Sequence, residues 1–411
     1  AMPPNVDALK SAAPDAELAV GPFAAASFAD IDFIAISPGL PVQEANVLAA
    51  LARGVPVVSE IELFAWAVHA RSPVAKIVAI TGSNGKTTTK ELIHEVLAST
   101  YTTYTTQGNL NNHIGIPLTL LSVKRDAEIA IIEMGANHQQ EIAGYCKYTR
   151  PTHGLITNCG KAHLEGFGGV EGIRKGKGEL FDYLRANGGT AFVMWDYDYL
   201  REMSKGIPQI FRYGTTGADI TGMVHESSQL LSVDISSGAV TGTIHTQLVG
   251  AYNLPNVLAA VSAGKFFNVP DERIKLAIEN YTPSNSRSQL IKKDGISIIL
   301  DAYNANPSSM KAAIENFSKM DMPDKILLLG GMMELGEDSI AEHQSLVNLV
   351  NQYPWKAVVL VGGDFAKTAH AYLYFNNSAE ASEWFKKEVK APSGVLIKGS
   401  RSMQMEKVLA D

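Results

Sequence analysis

Cysteine is nearly missing from this chain: Cys146 and Cys159 are the two among 411 residues. They lack CxxC spacing, so neither a disulfide framework nor a metal knuckle is expected, and the expected home is a reducing cytoplasm. A basic excess is missing too. Lys and Arg number 35 against 42 Asp and Glu, for a net charge of −7. Nonspecific nucleic-acid binding runs on a basic surface, so no nucleic-acid partner is expected. Acidic substrates would need cations placed locally. No apolar run reaches the ~18 residues that a membrane span needs. The N-terminus shows no basic region followed by an apolar core, so no signal peptide is expected. Internal repeats and low-complexity tracts are absent. What remains is an ordinary globular composition, 46% hydrophobic and 19% charged. At this length the expectation is two or three domains with a core each, in a monomeric chain.

The most informative stretch runs from Ile77 to Thr89, IVAITGSNGKTTT. An apolar, β-branched run reads as a buried strand. A turn through Gly82, Ser83, Asn84 and Gly85 follows, and a helical pattern runs from Thr88 to about Leu97. Strand, glycine turn and helix N-terminus make a concave anion site from backbone N–H groups. Lys86 would reach the outer phosphates of a nucleotide, and the Thr87 hydroxyl would sit on Mg²⁺. The full GxxxxGK[ST] pattern is not present, because Ile80 stands where its first glycine belongs. The alternative is a glycine-rich strand-to-helix turn with a surface lysine.

The rest of the chain reads as α/β throughout. Residues 1–72 form a small unit: strands at Asp32–Ser37 and Val55–Val58, a Pro38-Gly39 turn, and helices at Gln43–Arg53 and Ile61–Ala70. A nucleotide-binding fold normally opens with a strand and a glycine turn. No such opening is visible here, so this unit is expected to be incomplete. Arg71-Ser72-Pro73 reads as a linker. Residues 73–283 form the largest block, with strands at Lys76–Thr81, Glu128–Glu133, Gly154–Thr157 and Thr190–Met194 alternating with helices. That alternation predicts a mainly parallel sheet covered on both faces. Residues 210–250 switch to short alternating segments, expected as an antiparallel appendage, and a helix follows from about Pro255 to Phe267. Residues 284–411 restart the pattern with strands at Ile296–Asp301, Lys325–Leu329, Ala357–Val361 and Gly394–Ile397. Helices there are expected at Ser308–Met320 and Glu342–Tyr353, with a hinge at Ser284-Asn285-Ser286.

Several strand ends carry polar side chains. Glu133 closes the second central strand, where a carboxylate can hold Mg²⁺ beside the phosphate loop or simply be solvated. His163 follows another strand, and a histidine alone is more often an ordinary surface group. Lys175 and Lys177 read locally as a solvated helix face. Asp301 ends a third-domain strand, from which it could accept hydrogen bonds from ribose hydroxyls. Arg287 sits at the hinge, where a guanidinium can bind phosphate as a planar fork. Asn253 and Asn256 precede a helix and could read an adenine edge or cap the helix.

Taken in order, GSNGKTT, EMGANH, ITNCGKAHLEGFG, KGKGELF, GAYNLPN, NSRSQ, DAYNANP and ELGED resemble the Mur ligases, ATP-dependent amide-forming enzymes of peptidoglycan precursor synthesis. Residues 74–411 resemble the family's D-alanyl-D-alanine-adding branch, and QGNLNNHIG, EMGANH, AHLEGFG and DAYNANP are the segments particular to it. The resemblance implies three α/β domains: an N-terminal domain for a UDP-substrate, a central P-loop domain and a Rossmann-like C-terminal ligase domain. It implies a UDP-N-acetylmuramoyl peptide and D-Ala-D-Ala as substrates, and ATP and Mg²⁺ as cofactors. It also implies that Gly82 to Thr88, Asn253, Asn256, Arg287 and Asp301 hold ATP, and that Lys86, His163, Lys177 and Arg287 act in catalysis. Thr87 and Glu133 would hold one Mg²⁺. His163 would hold a second together with Lys177, which has the spacing of the lysine that the family carbamylates with CO₂. Two departures stand out. The first fifth, through AISPGL and VSEIELF, resembles instead the D-glutamate-adding branch, so the chain reads as hybrid or shortened there. Gly331 stands where an aspartate is expected before Met332. D-glutamate addition, folate polyglutamylation and a nucleotide-binding regulator are the alternatives.

Overall fold

A computed structural model of the chain describes residues 6–17, 25–36, 44–59, 63, 75–225, 229–239, 242–283 and 286–410. The expected Pro38-Gly39 turn, most of the Ile61–Ala70 helix, the 71–73 linker and the first two hinge residues lie outside the described residues. The chain divides into two compact units, Ala1–Arg71 and Ser72–Asp411.

In the first unit, β1 (Ile34–Ile36) pairs in parallel with β2 (Val57–Ser59). Both strands are shorter than their apolar runs. β2 begins only after Pro56, which has no N–H to give to a ladder; its carbonyl instead accepts from Ile34 N at 2.9 Å. Helix α1 (Val6–Ala12) opens the unit. Helix α2 (Ala45–Ala52) is capped by Glu44, whose carboxylate accepts from the N–H groups of Asn46 and Val47. Val47 and Ala50 of α2 pack with Phe28 and Ile34 as a small core.

The second unit contains two sheets. In the larger, the strands are β3 (Lys76–Thr81), β4 (Thr103–Thr105), β5 (Ile129–Glu133), β6 (His153–Ile156), β7 (Thr190–Met194), β8 (Gln209–Gly214), β9 (Ile220–Val224), β10 (Ser232–Ser237) and β11 (Thr243–His245). Their order is β11-β10-β9-β8-β7-β6-β3-β5-β4. Pairing is parallel from β4 through β9, and antiparallel for β9-β10 and β10-β11. The segment expected as an appendage is therefore the edge of the main sheet. Its alternating pattern is that of strands with one wet face, which antiparallel edges tolerate. β3 and β5 are buried along nearly their whole length, as their unbroken apolar runs require of strands covered on both faces. Helix α3 (Lys86–Ala98) follows the phosphate loop.

The remaining central helices are α4 (Gly115–Ser122), α5 (Glu141–Thr149), α6 (Leu164–Phe167), α7 (Val170–Ala186), α8 (Asp198–Ser204), α9 (Leu254–Phe266) and α10 (Asp271–Asn280). α9 is apolar around its circumference and nearly all buried, which suits a helix enclosed by neighbours rather than lying on a surface. Gly264 allows α9 to approach α3 and α10: a Cβ there would lie 2.7 Å from Val96 and 2.8 Å from Ile274.

The second sheet has the order β12-β13-β17-β14-β15-β16. These are Gln289–Lys293, Ile296–Asp301, Ser393–Lys398, Ile326–Gly330, Ala357–Val361 and Leu373–Phe375. Only the hairpin β12-β13 is antiparallel. Helices α11 (Pro307–Lys319), α12 (Ser339–Val350) and α13 (Ser378–Glu388) cover it. α11 carries a reciprocal cap: Asn306 accepts from Ser309 N, Ser309 Oγ meets Asn306 N, and Pro307 occupies the first turn.

Candidate functional site

Loops from the C-terminal ends of β3, β5, β6 and β7, and from β13 and β17 of the second sheet, open on one cavity of about 1010 Å³. Strand ends are where open α/β sheets gather ligands.

The phosphate loop forms one wall. Gly82 (φ 141°) and Gly85 (φ 78°) are left-handed. A Cβ on Gly82 would lie 2.0 Å from Thr157 Oγ1, and one on Gly85 would lie 2.7 Å from Asn256 Oδ1. Both positions therefore require glycine for backbone and for space. Asn158 clamps the turn. Its carbonyl accepts from Ser83 N at 2.9 Å, and its Oδ1 accepts from Asn84 N at 3.1 Å. The Asn84 carbonyl accepts from Thr157 Oγ1 at 2.6 Å and Asn158 Nδ2 at 3.0 Å. Two of the N–H groups expected to face an anion, those of Ser83 and Asn84, are thus already engaged. Among the described residues no protein acceptor takes the N–H groups of Gly85, Lys86, Thr87 or Thr88, so the anion site is the first turn of α3 rather than the whole loop.

Lys86 is half-buried, not a surface lysine. Its Nζ donates to Gly82 O at 2.7 Å and Ser83 O at 3.4 Å. Burial pushes its pKa below the usual lysine range; Glu133 opposes that shift and Arg287 adds to it. Thr87 Oγ1 donates to Glu133 Oε2 at 2.8 Å, and Asn111 Nδ2 donates to Glu133 Oε1 at 2.8 Å. Glu133 is 1% exposed. A buried carboxylate touched only by neutral donors calls for a cation, and a hydroxyl beside it makes a hard-oxygen pair. The two residues fit Mg²⁺, which takes few protein ligands and completes its shell with water and phosphate oxygens. Among the described residues no cluster of three His, Cys, Asp or Glu side chains forms a closed metal cage.

The expected second metal group is not drawn together with this pair. Lys177 is buried, and its Nζ donates to Ala136 O at 2.9 Å and lies 4.8 Å from the centre of the Phe167 ring. It stands behind the cavity wall rather than among the lining residues. Of the two lysines expected on a solvated helix face, Lys175 is exposed as expected, whereas Lys177 lies on the inward face. Gly172 and Gly176, one turn apart on α7, let the helix close onto Phe167, where a Cβ on Gly176 would lie 2.4 Å from the ring. Burial, helped by the charge of Lys86, brings the Lys177 pKa down to about 7. His163 does line the cavity. Its Nδ1 meets the carboxylate of Glu334 from the second sheet's side in an ionic contact that is not an aligned hydrogen bond, and that nitrogen has no other partner.

The second sheet supplies the opposite wall. The Arg287 guanidinium carbon lies over the Tyr303 ring, 3.7 Å from its centre, with Nε buried and without a hydrogen-bond partner among the described residues. Asp301 is held from both sides: Lys398 Nζ donates to Oδ2 at 2.5 Å and Ser288 N to Oδ1 at 3.3 Å. Asn253 and Asn256 do not cap α9 through their side chains. They form an inward relay instead, in which Thr89 Oγ1 donates to Asn256 Oδ1, Asn256 Nδ2 to Asn253 Oδ1, and Asn253 Nδ2 to Val249 O. Both asparagines still line the cavity. Asn306 Nδ2 donates to Asn84 Oδ1 at 2.7 Å, tying the cap of α11 to the phosphate loop.

Sequence reading did not single out Asn111, Asn158, Tyr303, Asn306 or Lys398. The first four lie inside motifs already quoted, and their position after strand ends was the available signal. Gly331 has a steric reason to lack a side chain: a Cβ would lie 2.7 Å from Gly363 Cα and 3.2 Å from Gly362 O.

Comparison with known proteins agrees with this arrangement. Residues 80–264 match the model of the Mur ligase middle domain, and residues 286–401 match that of the Mur ligase glutamate ligase domain. Residues 1–59 match the Mur ligase MurD-like N-terminal domain. UDP-N-acetylmuramoyl-tripeptide–D-alanyl-D-alanine ligase of Escherichia coli (strain K12) is 34% identical over 366 residues, 85% of this chain and 78% of that protein. The enzyme of the same name from Bacillus subtilis (strain 168) is 31% identical over 82% of this chain and 75% of its own length. The crystal structure of MurF from Acinetobacter baumannii is 28% identical with a TM-score of 0.76, covering 89% of this chain and 87% of that one. A MurF ligase from Thermotoga maritima in complex with ADP has the same fold, with a TM-score of 0.78 at 23% identity over 88% of this chain and 89% of that one. By the motif order, the strand-end cavity and these likenesses, the chain belongs to the Mur ligase family.

Proposed function

We propose that the chain is an ATP-dependent amide ligase that joins D-alanyl-D-alanine to a UDP-N-acetylmuramoyl-tripeptide in the cytoplasm. The division of labour follows three domains, 1–72, 73–283 and 284–411. The observation that carries the reading is the buried Thr87–Glu133 oxygen pair directly behind the free N–H groups of α3.

The tripeptide carboxylate attacks the γ-phosphorus of ATP, the bond to the β,γ-bridging oxygen breaks, and ADP leaves. The amine of the dipeptide then attacks the acyl carbon. The tetrahedral adduct collapses, phosphate departs with the former carboxylate oxygen, and the amine proton passes to solvent. Transferring a phosphoryl group spreads negative charge, so catalysis is mostly positioning and electrostatics. The α3 N–H groups and Lys86 meet the phosphates, while Arg287 reaches them from the other wall. Asn253, Asn256 and Asp301 receive the nucleoside. Thr87 and Glu133 would hold Mg²⁺, which would neutralise developing phosphoryl charge; His163 lines the same cavity, without the second ligand that another ion would need. Because the walls come from two sheets, seating the second against the first also excludes water from the acyl phosphate.

For Lys177 we infer a carbamate. A pKa near 7 leaves much of the amine neutral at physiological pH. The neutral amine adds to CO₂ and loses one proton, exchanging a buried cation for a carboxylate-like anion. The reading is tested by ADP release from ATP with a panel of UDP-muramoyl peptides and amine acceptors. Fast release that requires both the tripeptide and D-Ala-D-Ala is expected. The MurD-like match of residues 1–59 favours a second reading, D-glutamate addition; faster release with D-glutamate would establish it. Release independent of any acceptor would point to a nucleotide-binding regulator.

A further inference from the structure

Asn111 touches the Thr87–Glu133 pair without belonging to it. Glu133 ends β5 and is fixed at three points. Its N–H donates to Thr106 Oγ1 at 3.0 Å. Its Oε2 accepts from Thr87 Oγ1 and its Oε1 from Asn111 Nδ2, both at 2.8 Å. An ionised carboxylate only accepts, so the nitrogen end of the Asn111 amide must face it. One oxygen of Glu133 is thus occupied by an amide, and the other stands beside the Thr87 hydroxyl.

The loop that carries Asn111 runs from β4 to α4 and is pinned along its length. At its start, the buried Lys90 donates to Thr106 O at 2.6 Å. At its end, Asn112 Oδ1 accepts from Ile114 N at 3.1 Å and Gly115 N at 2.9 Å. A Cβ on Gly115 would lie 2.3 Å from Leu110 Cα, so α4 closes directly on the loop. Asn111 itself is tied to the chain after β5, where its carbonyl accepts from Gly135 N at 2.7 Å. A Cβ on Gly135 would lie 2.9 Å from Asn111 Oδ1 and 3.2 Å from Nδ2, so the amide fills the room that this glycine leaves. Backbone and amide are therefore both held in one place.

We propose that Asn111 is a positioning residue that sets the metal preference of the Thr87–Glu133 pair. This rests on the reading of that pair as the Mg²⁺ site. By occupying Oε1, Asn111 restricts Glu133 to a single oxygen for the ion. Mg²⁺ demands near-ideal octahedral geometry and suits single oxygens, whereas Ca²⁺ takes about 6–8 ligands at longer distance and readily engages a carboxylate through both oxygens. Asn111 is neutral, so it holds the carboxylate without cancelling the charge that attracts the ion. A lysine in its place would hold Glu133 as firmly and remove that attraction. Loss of a partner that orients a ligating group typically lowers metal affinity about 10- to 100-fold.

The test is calorimetric titration of a non-hydrolysable ATP analogue into the full chain, with Mg²⁺, with Ca²⁺ and with a chelator. The parent is expected to bind the analogue most tightly with Mg²⁺, less tightly with Ca²⁺ and most weakly with the chelator. Asn111→Leu keeps the size of the side chain and drops the donor. It is expected to lose about 10-fold or more of the strengthening by Mg²⁺, to lose less with Ca²⁺, and to match the parent in the chelator. Gly135→Ala keeps Asn111 but pushes its amide aside, since the three atoms nearest the added Cβ all belong to that amide. The same shift in preference, smaller in size, is expected of it. Melting curves verify both folds, and Gly135→Ala decides alone if Asn111→Leu unfolds. A parent-like preference for Mg²⁺ over Ca²⁺ in the folded variants overturns the role of Asn111 alone. Equal weakening in all three buffers makes Asn111 a structural loop residue and overturns the role as well. A parent whose affinity for the analogue ignores both ions overturns the reading of Thr87 and Glu133 beneath it.

Discussion

Gly82→Ala tests the phosphate loop through its steric frame rather than its charge. The added Cβ lies 2.0 Å from Thr157 Oγ1, 3.0 Å from Thr157 N and 3.1 Å from Asn158 N. The hydroxyl can rotate away, but doing so breaks its 2.6 Å bond to the Asn84 carbonyl, a loss of about 0.5–1.5 kcal/mol. The two backbone nitrogens cannot rotate at all. Holding alanine at φ 141° adds about 1–3 kcal/mol. Together these give roughly 2–4 kcal/mol, enough to lower the melting temperature by several degrees. The cheapest relief is movement of the loop away from β6, which misplaces the first turn of α3. Gly82→Ala should therefore lose ATP affinity and ligation while retaining the fold, measured by thermal melting and calorimetric titration with an ATP analogue. Adding Thr157→Ala removes the nearest atom but not the backbone nitrogens, so the double variant should recover part of the loss. Parent-like melting and parent-like ATP affinity in Gly82→Ala would refute the close packing of this loop on Thr157.

Three further outcomes are expected. Lys86→Ala should lower ligation by ~10²-fold or more, since a fixed donor to the transferring group is typically worth several kcal/mol; a folded variant with near-normal turnover would contradict the assignment. Lys177→Ala should be inactive and partly rescued by a short carboxylic acid, and depletion of bicarbonate should slow the parent reversibly, more so below pH 7 where the amine is protonated. In CO₂-free buffer the folded lysine loses its proton near pH 7, whereas the unfolded one keeps it to about 10.5, so thermal stability should rise with pH across that window. Gly331→Asp, which restores the residue the motif leads one to expect, should destabilise by about 1–3 kcal/mol because its Cβ meets the Gly363 backbone; a neutral effect in denaturant unfolding would count against that contact.

The sequence carried the fold where its signals were local. The bounds expected for β3, β7, β13 and β15 match the structure to the residue; β3, β7 and β15 are buried along nearly their whole length, so no polar alternation blurs their ends. The three-residue strands β4 and β16 were missed because so short a segment carries no period. The site was legible in part for the same reason. GxxGKT is a local motif whose glycines serve a local turn. Asn158, 74 residues from the loop it clamps, and Asn306, 222 residues away, carry no mark of that partnership. Asp301 was singled out as a ligand group, yet its hold by Lys398, 97 residues on, decides where its oxygens point. Lys177 was the reverse case. Its spacing drew attention, but its retreat behind Ala136 depends on Gly172 and Gly176 packing on Phe167, a contact that no helical pattern reveals.

Charge at the cavity leads to one more expectation. An acidic chain was expected to need locally placed cations for an acidic substrate, and the structure provides them unevenly. Lys398 is neutralised by Asp301, and Lys161 by Glu342. Arg287 makes no ion pair with a described carboxylate and rests on a neutral ring. It is also close enough to Lys86 to depress that amine's pKa, on top of the larger effect of burial. Without nucleotide, two like charges are thus held near each other, and the lysine relaxes by giving up its proton more readily than usual. Phosphate oxygens between them reverse the balance, because an adjacent anion favours the charged form. Binding an ATP analogue should therefore draw protons from solution. Uptake is absent at a pH low enough that the free lysine is fully charged, and it grows as pH rises through the range in which the free lysine has begun to deprotonate. Calorimetric titrations in PIPES and in Tris, whose ionisation heats differ widely, read the uptake as a difference in apparent enthalpy. Lys86→Ala, titrated at concentrations that allow for its weaker binding, should abolish the difference. Identical enthalpies in both buffers across the alkaline range would mean that Lys86 keeps its proton in the free chain, and that its two backbone acceptors at Gly82 and Ser83 outweigh burial and Arg287 together.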